Sequence, residues 1–524
     1  MTLETRPGYG LSDEPGKEHE PDKALEPGES RLRAAVGTTL LIVAVATGVL
    51  FADPLTVGAL LAVVGLLYLF RAVVFSWPGV AVAIAVTVVL VPARRYTLPV
   101  DLPFAAEPYR ILVVALLAVV VAALLIDPRF RWRRLEFAGP VAFFLATQLV
   151  SIGANIPGLV ARQLAPNAVI SLLSLLIICA LFLVTRQLFQ SDRAVHVLIA
   201  ALVICGAVLG ALATVERVTR VNLFLQFFAL LPLQRLSEEE SLFVKAGTAR
   251  AFGSAQHPIA LAVFLVMLMP LGIYLARHAR WPRRLGAREL FWVGCTMFMA
   301  FGMLAAVSRT AFVSIGVMVL VVVLLRGAMV PKLLFYGILG VLAALLISAR
   351  NIIAMVNELL NPQALIESQM TSPGWTGSGR LADLGPSLAE AAAAPFVGSG
   401  LGSRVTTGQT ANAFILDDQY LTTLLESGIL GLIGVAVLLL VPVVRLAVFS
   451  RRPTEDPERS DLALAVAASI VGYVVSLFFF DGFSFVQTLL CFFVLLALGS
   501  YAMAGQRPSR LAEREQLRRL EAAT

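Results

Sequence analysis

Fourteen apolar runs, each near the length of a bilayer crossing, leave this 524-residue chain few ways to fold. Cut at charges and prolines, they fall at about 34–52, 54–70, 72–91, 111–126, 137–156, 167–185, 194–215, 257–276, 289–307, 310–326, 332–348, 414–440, 461–480 and 483–503. A helix through a hydrocarbon layer of roughly 30 Å needs about 20 mostly apolar residues, and about 17 at the least. With 58% hydrophobic and 14% charged residues, the chain has too little polar surface to cover a soluble core of its size. The expected class is all-α: a polytopic integral membrane protein with about 12–14 transmembrane helices and one large extracytoplasmic segment.

Basic residues orient these runs, because cytoplasmic connections are enriched in Lys and Arg. Residues 127–136 carry four arginines, 277–288 five and 505–524 five. With fourteen spans and a cytoplasmic N-terminus, all three lie inside, as do 186–193 and the Arg451–Arg452 connection. The same count puts 216–256, the turn at 308–310, the segment 349–413 and the turn at Asp481 outside. The chain then divides into a disordered acidic cytoplasmic tail (1–30), helices (31–215), an outer loop (216–256), helices (257–348), a large outer loop (349–413), helices (414–503) and a basic cytoplasmic tail (504–524). No cleavable signal peptide is expected in the first 30 residues, which carry eight acidic and three basic side chains among Pro and Gly.

Charge also limits function. The net charge of +7 sits in short clusters between apolar runs, which argues against nucleic acid as a partner. Cys179, Cys205, Cys295 and Cys491 all fall within apolar runs without metal-ligand spacing, so free thiols and no metal site are expected.

One arginine stands out. The stretch from 291 to 325 has 35 residues, which as a single helix would be roughly 52 Å long. It must be two helices with "SRT" (308–310) as the turn between them, and Arg309 then opens a membrane helix where free N–H groups favour an anion. An arginine at a helix end can equally snorkel to lipid headgroups. Arg250 and His257 precede Pro258, which is placed to start another membrane helix; His257 reads as a site residue or as the cap of that helix. The apolar but broken stretch 221–236 reads as a helix lying at the outer interface.

In the large outer segment, 381–394 is Ala-rich and should form a short helix. Gly398, Gly400 and Gly402 should form a loop whose backbone can approach a ligand closely. Asp417 and Asp418 stand where the next membrane helix begins, an ordinary place for a cap, which accounts for one aspartate better than for two. Arg250, Arg309, Arg380 and Arg404 thus gather at the outer mouth with one acidic pair. Guanidinium groups hold phosphate oxygens bidentately, and a nearby carboxylate can accept a proton from a hydroxyl. Such a set suits transfer of a sugar from a pyrophosphate leaving group.

Four stretches, "RAFGSAQHPIALA", "SRTAFVSIGVMVLVV", "GRLADLGPSLAEAAAAPFVGSGLGS" and "DDQYLTTLLESGILGLIG", occur in an order that resembles the O-antigen ligase and O-antigen polymerase superfamily of bacterial membrane glycosyltransferases. The likeness covers about 245–440. It implies that Arg250 and Arg309 engage a lipid pyrophosphate; His257, Arg380, Gly400, Gly402 and Arg404 are substrate-loop candidates from their place in the outer segments. The last motif commonly begins with a histidine assigned to acceptor activation, where this chain has Asp417 and Asp418 before Tyr420. That departure favours a polymerase, or a ligase with another acceptor, over a lipopolysaccharide ligase.

The implied reaction takes a polyprenyl-pyrophosphate-linked saccharide as donor and a saccharide or other hydroxyl as acceptor. Asp417 would take the acceptor's proton, and one displacement would invert the anomeric centre. Because the leaving group is already activated, neither a metal nor another cofactor is required. The competing expectation is a transporter or flippase of the same lipid-linked sugar, against which stand the lack of an internal repeat and the scarcity of charge within spans.

Overall fold

The helices begin where proline or a capping side chain permits. Ser76 Oγ accepts from Gly79 N before Trp77–Pro78, His257 Nδ1 accepts from Ile259 N before Pro258, and Asp456 accepts from Arg459 N before Pro457. Each such residue supplies an acceptor for the donors a helix start leaves unused. The computed structural model describes residues 76–99, 105–126, 130–229, 233–236, 244–245, 248–329, 380–406, 412–413, 416–452 and 456–504, with isolated positions between 331 and 363. The expected spans at 34–52 and 54–70, most of that at 332–348, and both tails lie outside the described residues.

Among the described residues thirteen α-helices are bounded in order: α1 (Trp77–Leu90), α2 (Pro108–Ile126), α3 (Ala138–Ala161), α4 (Ala165–Leu188), α5 (Asp192–Thr219), α6 (Leu223–Ala229), α7 (Pro258–His278), α8 (Leu285–Ala305), α9 (Arg309–Leu325), α10 (Arg380–Ala393), α11 (Gln419–Arg451), α12 (Pro457–Ser476) and α13 (Val486–Met503). Among the described residues nine are long and apolar enough to cross a membrane, and α1 and α9 are shorter apolar helices. The protein is an all-α, multi-pass membrane protein. Among the described residues strand is confined to two-residue pairs, with β1 (Tyr96–Thr97) antiparallel to β2 (Gln234–Arg235) and β3 (Val244–Lys245) to β4 (Thr248–Ala249). The helix expected across 381–394 is α10, and the long apolar stretch is divided into α8 and α9 as its length requires. Of the stretch 221–236, expected as one interfacial helix, Leu223–Ala229 is helical (α6) and Gln234–Arg235 form β2.

Proline was a poor boundary marker. The span expected to end at 440 continues through Pro442 to Arg451, and α3 continues through Pro157 to Ala161. A membrane helix tolerates the missing N–H because local adjustment and neighbouring groups satisfy the freed carbonyl.

The helices alternate between two ends of the bundle. At one end α5, α7, α9 and α12 are joined by polar contacts: Asp461 is ion-paired with Arg326 and meets His278 (Nε2 to Oδ2, 2.8 Å), and His196 Nε2 lies 2.8 Å from Glu458 Oε1. Arg445 Nη2 reaches Glu136 Oε2 at 2.8 Å nearby in the chain's alternation. The arginine-rich connections 130–137, 186–193, 277–288 and 451–452 are all at this Asp461 end. Among the described residues the opposite end collects 91–99, 105–108, 219–229, 233–236, 244–245, 248–257, 306–308, 394–406, 412–413, 416–418 and 477–485. The central helices are α7 and α13, whose apolar windows are 78% and 89% buried; α2 and α3, at 28%, are peripheral.

Candidate functional site

At the Asp481 end, α11 is two helices joined at a kink. Gly428 takes φ 65° and ψ −166°, which ends the first segment after only nine residues. A break of this kind strands backbone groups, and here they are met by the turn after α10. Ser399 N and Gly400 N donate to the carbonyls of Leu425 (3.0 Å) and Glu426 (2.8 Å), while Ile429 N and Leu430 N donate to Pro395 (2.8 Å) and Phe396 (3.1 Å). Buried Ser151 of α3 donates within reach of both sides, 2.9 Å to Val397 O and 3.0 Å to Glu426 O. A Cβ at Gly428 would lie 2.4 Å from the carbonyl carbon of Phe396, and one at Gly398 2.4 Å from that of Glu426. The two chains touch backbone to backbone.

This crossing forms one wall of a cavity of about 580 Å³. Its other walls come from α3 (Phe144, Gln148), from one face of α4 (Asn167 to Ile178), and from the starts of α2 and α13. Its ionisable lining is Arg94, Arg110 and Arg404 on the basic side, and Asp417, Glu426 and Asp481 on the acidic side. Amides and hydroxyls fill the spaces between, with Phe144, Phe483 and Phe485 as aromatic surface. Asp481 accepts from Ser484 Oγ at 2.6 Å. Burial pushes the Asp481 carboxyl up to about 6; Ser484 and Arg94 oppose the rise and Asp417 adds to it.

The expected site residues fall into three groups. Gly402, Arg404 and Asp417 line the cavity, and Arg404 is ion-paired with Glu390 of α10. The close approach of the glycine loop is to helices: a Cβ on Gly402 would meet Ala168 of α4 at 2.9 Å, and one on Gly400 would meet Asn155 of α3 at 3.2 Å.

Arg250 and Arg309 form a second group beside the turn between α8 and α9. Arg250 Nε donates to Ala306 O at 3.0 Å, and Ala251 N to Ala305 O at 3.2 Å. Val307 in that turn has φ 49°, a strained conformation for a β-branched residue. Ser308 caps α9 by position, yet its hydroxyl makes no cap bond and is buried without a partner. The start of α9 therefore joins an arginine, a second arginine nearby and an orphan hydroxyl, a combination suited to an anion.

The third group is capping. His257 is the cap of α7, with its ring 5.9 Å from that of Phe485 on the cavity wall. Asp418 caps α11, accepting from Tyr420 N (2.8 Å) and Leu421 N (3.1 Å). Arg380 opens α10. The acidic pair is thus divided, with Asp418 as the cap and Asp417 exposed at the cavity.

Arg94, Arg110, Glu426 and Asp481 are cavity residues that the sequence reading did not single out. One signal was available: the connection 92–110, outside by the basic-residue count, nevertheless holds three arginines. Among the described residues no three or more His, Cys, Asp or Glu side chains are grouped to hold a metal ion. Compared with models of known protein families and with curated proteins, the chain matches none.

Proposed function

We propose that the protein transfers a saccharide from a polyprenyl-pyrophosphate carrier to an acceptor hydroxyl at the extracytoplasmic face, as a cell-surface polysaccharide polymerase. The observation that carries this reading is the cavity itself, where arginines and carboxylates face one another in one mixed polar and aromatic chamber. Arginines suit the pyrophosphate, carboxylates suit sugar hydroxyls and the departing proton, and aromatic rings suit the faces of sugars. Arg309 and Arg250, at the orphan-capped start of α9, add a further place for phosphate oxygens. The outer face is supported by the arginine-rich connections, which gather at the opposite end and favour the cytoplasm.

The acceptor hydroxyl attacks the anomeric carbon while the bond to the pyrophosphate oxygen breaks. The leaving group takes the bonding electrons and a carboxylate takes the hydroxyl proton. Asp417 and Asp481 both face the chamber, and Asp481, raised toward neutrality, is the better matched base.

The test is turnover of a short-chain polyprenyl-pyrophosphate oligosaccharide by the purified protein, with products resolved by length. A ladder of lengthening chains is expected, and it should be sharply reduced in Arg309→Ala and Asp481→Asn. Transfer of one unit to a separate acceptor would mean a ligase. A transporter of the same lipid-linked sugar is the second reading, favoured by the broken α11; unchanged donor in the presence of every acceptor class would select it.

A further inference from the structure

The three cavity arginines are not equivalent. Arg110 is buried and committed: Nε donates to Tyr109 Oη (3.0 Å), Nη1 to Ala105 O (3.1 Å) and Nη2 to Ser174 Oγ (3.1 Å), with Glu107 Oε1 3.3 Å from Nη2. Arg404 is paired with Glu390. Arg94 is exposed on the cavity wall, and among the described residues its guanidinium makes no hydrogen bond or ion pair.

Its backbone is unusual too, in a left-handed turn shared among the described non-glycine residues only with Gln163, Arg220 and Val307. Arg94 has φ 56°, in the left-handed region that side chains other than Gly, Asn and Asp rarely occupy. Glu107 holds it there: this carboxylate is 2% exposed, and its Oε2 accepts from Arg94 N at 2.7 Å while Oε1 faces Arg110. The next residue is fixed as well, since Arg95 Nη2 donates to Gln256 O (3.1 Å) and Leu236 N donates to Arg95 O (2.9 Å). A turn that needed only its shape would be served by glycine without strain. A long cation in that position, its backbone clamped by a buried carboxylate and its side chain lining the same chamber as Asp481, is held for its aim.

We propose that Arg94 grips a phosphoryl oxyanion of a lipid-pyrophosphate-linked saccharide in this cavity, with Glu107 as the positioning residue that fixes the left-handed turn. The identity of the ligand rests on the transfer reading above; the anion site does not. A guanidinium fork can take two phosphoryl oxygens at once, which an exposed cation on a rigid turn can do with little loss of freedom. Donor and acceptor of a polymerase both carry pyrophosphate, so the shared chemistry is the oxyanion.

The experiment titrates inorganic pyrophosphate into the purified full-length protein, wild type against Arg94→Asn, Arg94→Gly and Glu107→Ala, with thermal melting of each. Arg94→Asn and Arg94→Gly should weaken binding by about tenfold or more. Arg94→Gly should also melt at or above the wild-type temperature, because glycine relieves the left-handed turn. Loss of binding with gained stability is a pattern that damage to the fold does not produce. Glu107→Ala, with Arg94 still present, should weaken binding and lower the melting point. Wild-type binding by the Arg94 variants, or no pyrophosphate binding by the wild type, overturns the proposal. The expected binding pattern in a protein that never turns over donor would leave the anion site standing and remove the transferase reading. In a transfer assay with a donor blocked at its acceptor hydroxyl and a separate acceptor, Arg94→Asn should raise the KM of whichever substrate supplies the oxyanion.

Discussion

Two adjacent aspartates show how one residue's role depends on which group it satisfies. Asp418 gives its carboxylate to the amides that open α11, whereas Asp417, one position earlier, faces the chamber with Asp481. Because the Asp481 carboxyl is raised to about 6, it carries a proton below that pH and cannot accept another. Transfer should therefore fall as pH drops through about 6 and level off above it. A kcat/KM profile should show this limb in the wild type and lose it in Asp481→Asn; a limb that persists in that variant would assign the base elsewhere. Arg309→Ala should reduce kcat by the equivalent of about 3 to 4 kcal/mol if the arginine stabilises charge developing on the pyrophosphate. A change of only a few fold would leave it as a lipid anchor. With arginines in that role, turnover should survive EDTA, and strict loss on chelation followed by rescue with a divalent cation would contradict the scheme. At this scale the sequence showed residue types and order, so Arg309 at a helix start and an aspartate as a cap were legible. The left-handed turn at Arg94 was not, because nothing local to "PARRYT" demands it. It depends on Glu107, thirteen residues away.

The helices themselves were readable because length and apolar content decide a membrane span almost alone. What the hydropathy pattern missed was the break in α11, since glycine at 428 leaves the apolar run unchanged. The turn at Pro395–Gly400, with Ser151 of α3, supplies the partners that make the break tolerable, and those residues lie in other segments of the chain. This explains why the glycines at 398 and 428 matter as a pair. Gly428→Ala would place a Cβ 2.4 Å from backbone carbon in a conformation alanine avoids. Strain of this type is worth about 1–3 kcal/mol before the clash is counted. Its melting temperature should drop, and with it turnover, since Glu426 and Ser427 line the cavity from the same segment. Gly294→Ala is the matched control: nothing lies within 4 Å of its Cβ position on α8, and its melting should be unchanged or slightly raised. Equal effects of the two substitutions would mean that the crossing contributes little.

Across the whole molecule, charge and polarity divide between the two ends in a way that couples orientation to chemistry. The Asp461 end holds the arginine-rich connections and pairs many of its charges into clasps between helices, as at Asp461, Glu458 and Glu136. The Asp481 end has fewer basic residues, and three of them, Arg94, Arg110 and Arg404, are set around a chamber. If basic connections stay in the cytoplasm, the chamber must face outward, where a lipid-linked donor exported across the membrane would meet it. Single cysteines can read this directly, because the native Cys179, Cys205, Cys295 and Cys491 are all buried and should react slowly. Phe396 is 73% exposed at the Asp481 end, and Arg284 is exposed at the Asp461 end. In intact cells a membrane-impermeant maleimide should label Phe396→Cys and spare Arg284→Cys, which should become reactive only after the membrane is opened. The reverse pattern would turn the chamber toward the cytoplasm and exclude a reaction at the outer face. The orientation test therefore bears on the function as heavily as any substitution inside the cavity.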